Sequence, residues 1–346
     1  MRNIRWPLSV IFLALTCFSA VPTLACTIFT IAIGDTVLFG SNEDSGLEGT
    51  FITFVPADGS KHGYVYFSYD ENDHPWDGAI LGGMNDQGLC YDENWVPSRQ
   101  INARPERPPF PSGSFYNYFY MFEHYATVRE IEHLFAYYGT SYNYNLSLQA
   151  HWADISGDAA IASVGPDGDW VFTRRDENVS YLISTNWNRA FPMWAVRNIG
   201  ESRERYNISQ AILSSIIQER NLTVEVCRNV LNASSNEYTV YSNIFDLANR
   251  DIYLYFFHDF YQVLKLNLDE ELVKGYRRYR IADLFRDTLT VYAEHPSSTQ
   301  PTTTELPNST SNLSSGFIAA ILMAILIQIA FRRHAIHRRN KHPEKS

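Results

Sequence analysis

Cys26 stands where an export leader ends and a β-hairpin begins, and a thiol at that position can do nucleophilic chemistry. Upstream lie Arg2 and Arg5, the apolar run 8–21, and Thr23-Leu24-Ala25, the pattern of a secretory signal peptide over residues 1–25. The run is shorter than the ~20 residues a spanning helix needs, which argues against an N-terminal membrane anchor. Cleavage after Ala25 would place a thiol and an α-amine on one Cα. An α-amine has a reference pKa of about 7.7–8.0 and a thiol about 8.5, so the amine can take the proton of its own side chain without a histidine partner. The competing reading of an export signal ending at cysteine is a lipoprotein, with the cysteine acylated. Thr23 fits that poorly, because lipoprotein signals favour an aliphatic residue there.

Of the four cysteines, Cys17 lies in the leader, so Cys26, Cys90 and Cys227 remain. An odd count in an oxidising compartment leaves one thiol over. A Cys90–Cys227 pair would leave Cys26, and the sequence keeps that pairing open. The ten histidines show no metal-binding spacing, and neither a G-x-S-x-G elbow nor a phosphate-cradling glycine loop occurs, so neither a metal nor a cofactor is expected. The run 70–77, "DENDHPWD", reads as a solvated acidic loop.

The elements that must position Cys26 are predominantly strands. "CTIFTIAI" and "TVLFGSNED" form a hairpin about Gly34-Asp35; "FITFVPAD" and "YVYFSYD" are the next strands; "GAILGGMNDQGLCYDENW" is a pair turning at 85–88. Thr127 and Glu130 make a capping box opening a helix that ends at Gly139, and the aromatic run "FYNYFYMFEHYA" before it reads as core. Further strands run between Ala150 and Thr185, "RERYNISQAILSSIIQER" and "TVEVCRNVLNAS" are helices, and 238–266 closes the domain in hairpins. The order β, α, β, α, β suggests stacked sheets covered by helices, an α+β fold.

Composition is that of a globular domain, with 45% hydrophobic and 14% aromatic residues. Residues 26–295 read as the ectodomain, 296–315 as a Ser/Thr/Pro-rich stalk, 316–331 as a transmembrane helix and 332–346 as a basic cytoplasmic tail, giving a single-pass cell-membrane protein with its ectodomain outside. The formal net charge is −10; setting aside the two leader arginines and the tail's excess of five positive charges leaves −17 outside, which disfavours nucleic acid as a partner. Seven N-x-S/T sequons, beginning at Asn145, Asn178, Asn207, Asn221, Asn232, Asn308 and Asn312, support a glycoprotein.

Four motifs in order behind the cut site then resemble the choloylglycine hydrolase and penicillin V acylase group of N-terminal-nucleophile hydrolases, over roughly residues 26–266. They are Cys26 with Phe39-Gly40-Ser41-Asn42-Glu43-Asp44, the turn "GMNDQGL" at 83–89, Thr185-Asn186, and Ser202-Arg203-Glu204-Arg205-Tyr206. The resemblance implies a four-layer αββα sandwich. It implies that Cys26 attacks a linear non-peptide amide and passes through an acyl thioester, that Asp44 holds the α-amine, that the Asn85 backbone amide and the Asn186 side chain form the oxyanion hole, and that Arg205 steadies the nucleophile. Asn188 is an alternative oxyanion donor. Relatives often carry arginine where this chain has Ser41, near the nucleophile of the bile-salt and penicillin enzymes, and its replacement argues against those substrates. The expected function is a cell-surface amidase acting on a small N-acyl amide, with acyl transfer through the same thioester and a non-catalytic receptor or adhesin as alternatives.

Overall fold

In the computed structural model, residues 26–45, 49–69, 80–114, 117–193, 196, 200–219 and 222–286 are described. The chain divides into two units, Met1–His295 and Pro296–Ser346, and the described residues all belong to the first. The leader, acidic run 70–77, stalk, apolar stretch 316–331 and basic tail read from the sequence lie outside them. No helix among the described residues is long and apolar enough to cross a membrane.

Strand β1 (Thr27–Ile33) turns through Gly34-Asp35 into β2 (Thr36–Asp44), with Thr27 opposite Asn42 and Ile33 opposite Thr36. Gly34 adopts φ +60°, a left-handed conformation glycine takes readily. Side chains alternate along a strand, so Val37 and Phe39 enter one core while Leu38 enters another, and β2 is buried from both faces.

The remaining strands are β3 (Thr50–Val55), β4 (Tyr64–Tyr69), β5 (Ile80–Asn85), β6 (Cys90–Ile101), β7 (Tyr144–Ala153), β8 (Ala159–Val164), β9 (Trp170–Arg174), β10 (Tyr181–Ser184), β11 (Thr239–Asp246), β12 (Asp251–Phe256), β13 (Asp259–Asn267) and β14 (Arg277–Arg280). They form a six-stranded sheet, β10-β1-β2-β11-β12-β13, and an eight-stranded sheet, β14-β3-β4-β5-β6-β7-β8-β9. Neighbours in both are antiparallel. The helices are α1 (Tyr118–His124), α2 (Val128–Tyr137), α3 (Gly200–Glu219), α4 (Val224–Ser234) and α5 (Leu268–Val273).

Three apolar cores separate four layers. Phe39, Phe67, Ile161 and Phe245 pack between the sheets; Phe122, Ile131 and Phe135 from α1 and α2 pack with Tyr91 and Trp152 on the outer face of the larger sheet; Leu213 and Leu231 from α3 and α4 cover Phe29 and Ile244 on the outer face of the smaller one. This is the αββα arrangement expected. The capping box is present, with the Glu130 N–H donating to Thr127 Oγ1 and the Thr127 N–H to Glu130 Oε2, and that helix ends one residue before Gly139, at a Tyr138 cap. The aromatic run at 118–122 supplies core residues, as expected.

The cysteines answer a question the sequence keeps open. Cys90 lies in the core between the sheets and Cys227 in the core under α3 and α4, and both are buried thiols. The smaller sheet separates the two cores, so no Cys90–Cys227 bridge forms.

Candidate active site

Cys26 immediately precedes β1, 6% exposed. The adjoining β2 carries Gly40-Ser41-Asn42-Glu43-Asp44, and Gly40 is required there: a Cβ would meet the Phe29 ring of the paired strand at 2.5 Å. Alternation turns Ser41 and Glu43 toward the larger sheet, while Asn42 and Asp44 face the helices. Asn42 Nδ2 donates to Leu231 O at 2.9 Å, fastening β2 to α4.

The sulfur lies between the ends of those two strands. Its S–H donates to Glu43 Oε2 at 3.5 Å, and Glu43 Oε1 accepts the Tyr69 hydroxyl at 2.6 Å. Burial, then the charges of Glu43, Asp44 and Asp92, push the Cys26 thiol well above its usual range, and the Asp44 backbone N–H hydrogen bond opposes them. The carboxyls respond alike. Burial raises Glu43 and Asp92, and carries Glu93 up to about 8.

Arg205 projects from α3, 7% exposed, into the same place. One Nη donates to Cys26 O at 2.8 Å and Thr27 Oγ1 at 2.7 Å, the other to Asn186 Oδ1 at 2.7 Å, and the guanidinium faces Asp44 at 3.9 Å. Asp44 accepts from Asn236 Nδ2 at 2.8 Å and Thr239 Oγ1 at 2.5 Å. Burial lifts its carboxyl up to about 7 against the pull of Arg205. Four of the expected site residues, Cys26, Asp44, Asn186 and Arg205, are thereby brought together.

Asn85 is not delivered to this group as expected. Its backbone N–H donates to Leu89 O at 2.9 Å, closing the β5–β6 turn, and its carboxamide donates to Phe122 O and Tyr125 O at 2.9 and 2.8 Å. The amide expected to hold an oxyanion is committed to the hairpin. Asn188 is likewise engaged elsewhere, its Nδ2 donating to Val164 O at 2.9 Å at the end of β8 and its Oδ1 accepting the Ala190 N–H at 2.9 Å.

In their place stands Asn94 on β6, fully buried, whose Nδ2 donates to Cys26 O at 3.1 Å. Asn186 Nδ2 donates to Trp95 O at 2.9 Å, so the two carboxamides converge on adjacent residues of β6. A carboxamide nitrogen carries two protons, and the Asn94 bond to Cys26 O uses one of that residue's pair. The signal for Asn94 is in the sequence: Cys90, Asp92 and Asn94 share one strand face, and acidic and amide residues on a buried face demand a polar purpose. Beside them Gln149 Nε2 bonds Thr185 O at 2.9 Å, and His151 bridges Thr30 and Ser184 at 3.0 and 2.9 Å, neutral because burial lowers its pKa to about 3. No group of three or more metal-ligating side chains occurs among the described residues.

No protein-family model and no curated protein sequence matches this chain. Solved structures do match. Two variants of conjugated bile acid hydrolase from Clostridium perfringens superpose with TM-scores of 0.55 and 0.54 at 14% identity, covering 73% of this chain and 96% of theirs. Penicillin V acylase from Agrobacterium tumefaciens is more distant, at a TM-score of 0.43 and 15% identity over 67% of this chain and 82% of its own. In fold, the chain is similar to conjugated bile acid hydrolase, the likeness its motifs led one to expect.

Proposed function

We propose that this protein is an amidohydrolase that cleaves a linear, non-peptide N-acyl amide with Cys26 as nucleophile once the chain is cut after Ala25. The observation that carries the reading is the convergence on one residue: Arg205 and Asn94 hold the Cys26 carbonyl, and the Asp44 backbone N–H and Glu43 hold its sulfur. The freed α-amine takes the thiol proton as sulfur attacks the substrate carbonyl, and Asn94 and Asn186 stabilise the oxyanion. Collapse forms the thioester while the α-ammonium returns its proton to the leaving amine; water then attacks the thioester and releases the acid. Asp44, beside Arg205, orients the amine. The leader, stalk, apolar stretch and basic tail support an anchored glycoprotein with this domain outside the cell.

Sequencing the N-terminus of the mature protein and measuring its mass tests the first requirement, for which a free, unmodified Cys26 is expected. Turnover of a panel of N-acyl amides that is lost in Cys26→Ala tests the second. A lipidated Cys26, a start elsewhere, or no turnover of any acyl amide overturns the proposal.

A further inference from the structure

The layer between the sheets carries more acid than base beside the nucleophile. Glu43 and Asp92 are 5% and 2% exposed, and neither has an ion-pair partner among the described residues. Neutral donors serve them: the Tyr69 hydroxyl and Cys26 thiol on Glu43, the Ser41 side chain and the Glu93 N–H, the latter at 2.7 Å, on Asp92. Arg205 is committed to Cys26 O, Thr27, Asn186 and Asp44.

Two further polar side chains enter the same layer unserved. The Tyr241 hydroxyl and both ends of the Asn243 carboxamide have no hydrogen-bond partner among the described residues, although the residues are 1% and 0% exposed. Both lie on the β11 face that carries Phe245 into the core between the sheets, with Asn243 opposite Ser41 of β2. The Tyr241 hydroxyl interacts electrostatically with Glu43, Asp92, Tyr69 and Cys26, which places it among them. Buried polar groups normally find partners, and here two unpartnered polar side chains adjoin two buried carboxyls whose donors are all neutral, so the group holds acid with no cation to answer it.

We propose that Glu43, Asp92, Tyr241 and Asn243 form a subsite for a cationic group, an ammonium or guanidinium, carried by the substrate next to its scissile bond. The inference rests on Cys26 being the nucleophile. A cation would meet two carboxyls able to ionise against it, with a phenol oxygen and a carboxamide oxygen to complete its hydrogen bonds. An anionic group would meet acids with no cation to answer it and would oppose their ionisation, so the preferred substrate is a basic amide, not an acidic conjugate.

The charge preference can be read without any amide. Three methanethiosulfonates, 2-aminoethyl, ethyl and 2-sulfonatoethyl, each form a disulfide with a thiolate and release methanesulfinate, and they differ in charge. Rates at Cys26 of the processed protein, followed by mass and divided by rates on glutathione, report the local field; Cys26→Ala supplies the background from Cys90 and Cys227. The cationic reagent is expected to exceed the anionic one by about tenfold or more, and Glu43→Gln and Asp92→Asn are each expected to reduce that ratio several-fold. A ratio at or below one, or a ratio unchanged in both variants, overturns the proposal. So does a Cys26 that refuses all three reagents yet reacts after unfolding, because a subsite open to a substrate ammonium must admit an ethylammonium. Loss of amide turnover with the ratio intact would remove the amidase reading and leave the cation subsite standing.

Discussion

Asp44→Asn should flatten the pH dependence of stability by about one proton's worth. Asp44 is fully buried, and its carboxyl rises from the ordinary 3.8 up to about 7. Burial is the main cause, opposed by Arg205, Thr239 and Asn236. A group whose folded pKa lies above its unfolded value keeps a proton in the native state that the unfolded chain has lost. Its contribution is therefore fully present below about pH 4 and is lost as pH rises through about 7. Over that window the shift from 3.8 to about 7 corresponds to about 4 kcal/mol, a slope near 1.4 kcal/mol per pH unit. Asparagine has no proton to hold. Urea unfolding of chain that retains its leader, so that no α-ammonium sits beside Asp44, isolates the effect. Between about pH 5 and pH 7 the wild type should lose about 2 kcal/mol more than the variant, the slope easing as the carboxyl begins to titrate. Both should still fall, because Glu43, Asp92 and Glu93 are shifted in the same direction and outnumber His151, whose lowered pKa acts oppositely. Equal slopes, or a wild type that gains stability from pH 5 to pH 7, would refute the reasoning.

Three other outcomes follow from the geometry. Asn94→Ala should lower kcat by ~10²–10³, whereas Asn85→Ala should mainly cost roughly 1–3 kcal/mol of stability by freeing the β5–β6 turn from α1. Kinetics and urea midpoints on both variants separate the cases, and an equal kcat loss in the two would sink the assignment. His151→Phe orphans the Thr30 and Ser184 hydroxyls and should cost roughly 2–4 kcal/mol at pH 7. The cost should shrink below the ordinary imidazole value of 6.5, where the unfolded wild type takes up a proton that the native state refuses; a cost that grows on acidification contradicts this. Finally, Cys26, Cys90 and Cys227 should all titrate with an aromatic disulfide reagent when the processed protein is unfolded without reductant. A single titrating thiol would mean that Cys90 and Cys227 are bonded after all.

What the sequence made readable was what depends on neighbours along the chain. Alternation and the Gly34-Asp35 turn are enough to draw the β1–β2 hairpin, and Thr127 with Glu130 is enough to start α2, because these signals act within a few residues. β14, "RRYR", has no apolar alternation; it becomes a strand by pairing with β3, more than two hundred residues earlier in the chain. The same contrast governs the site. Cys26 and Asp44 belong to one hairpin, so their proximity follows from its register. The choice between Asn85 and Asn94 depends on how β6 of one sheet stacks over β1 of the other, and no pattern within either strand records that. Asn85 is conspicuous because it lies in a glycine-flanked turn, and the turn itself consumes its amide.

The acid around Cys26 gives the leader a chemical consequence. Before cleavage the residue 26 nitrogen belongs to a peptide and accepts no proton, and the thiol is suppressed by burial and by Glu43, Asp44 and Asp92. A thiol so placed is a poor nucleophile, since the thiolate is the reactive form. Cutting after Ala25 would turn that nitrogen into a base near pKa 8, within reach of the sulfur. Once protonated, it would also set a positive charge among the carboxyls that had opposed ionisation of the thiol, stabilising the charged forms of all of them. Arg205 directs its Nη donors to Cys26 O, Thr27 and Asn186, and the thiol stays raised in spite of its charge. The three carboxyls would then restrain the thiol while the leader is attached, and once it is gone Asp44 would hold the α-ammonium, so cleavage would act as the switch that starts the chemistry.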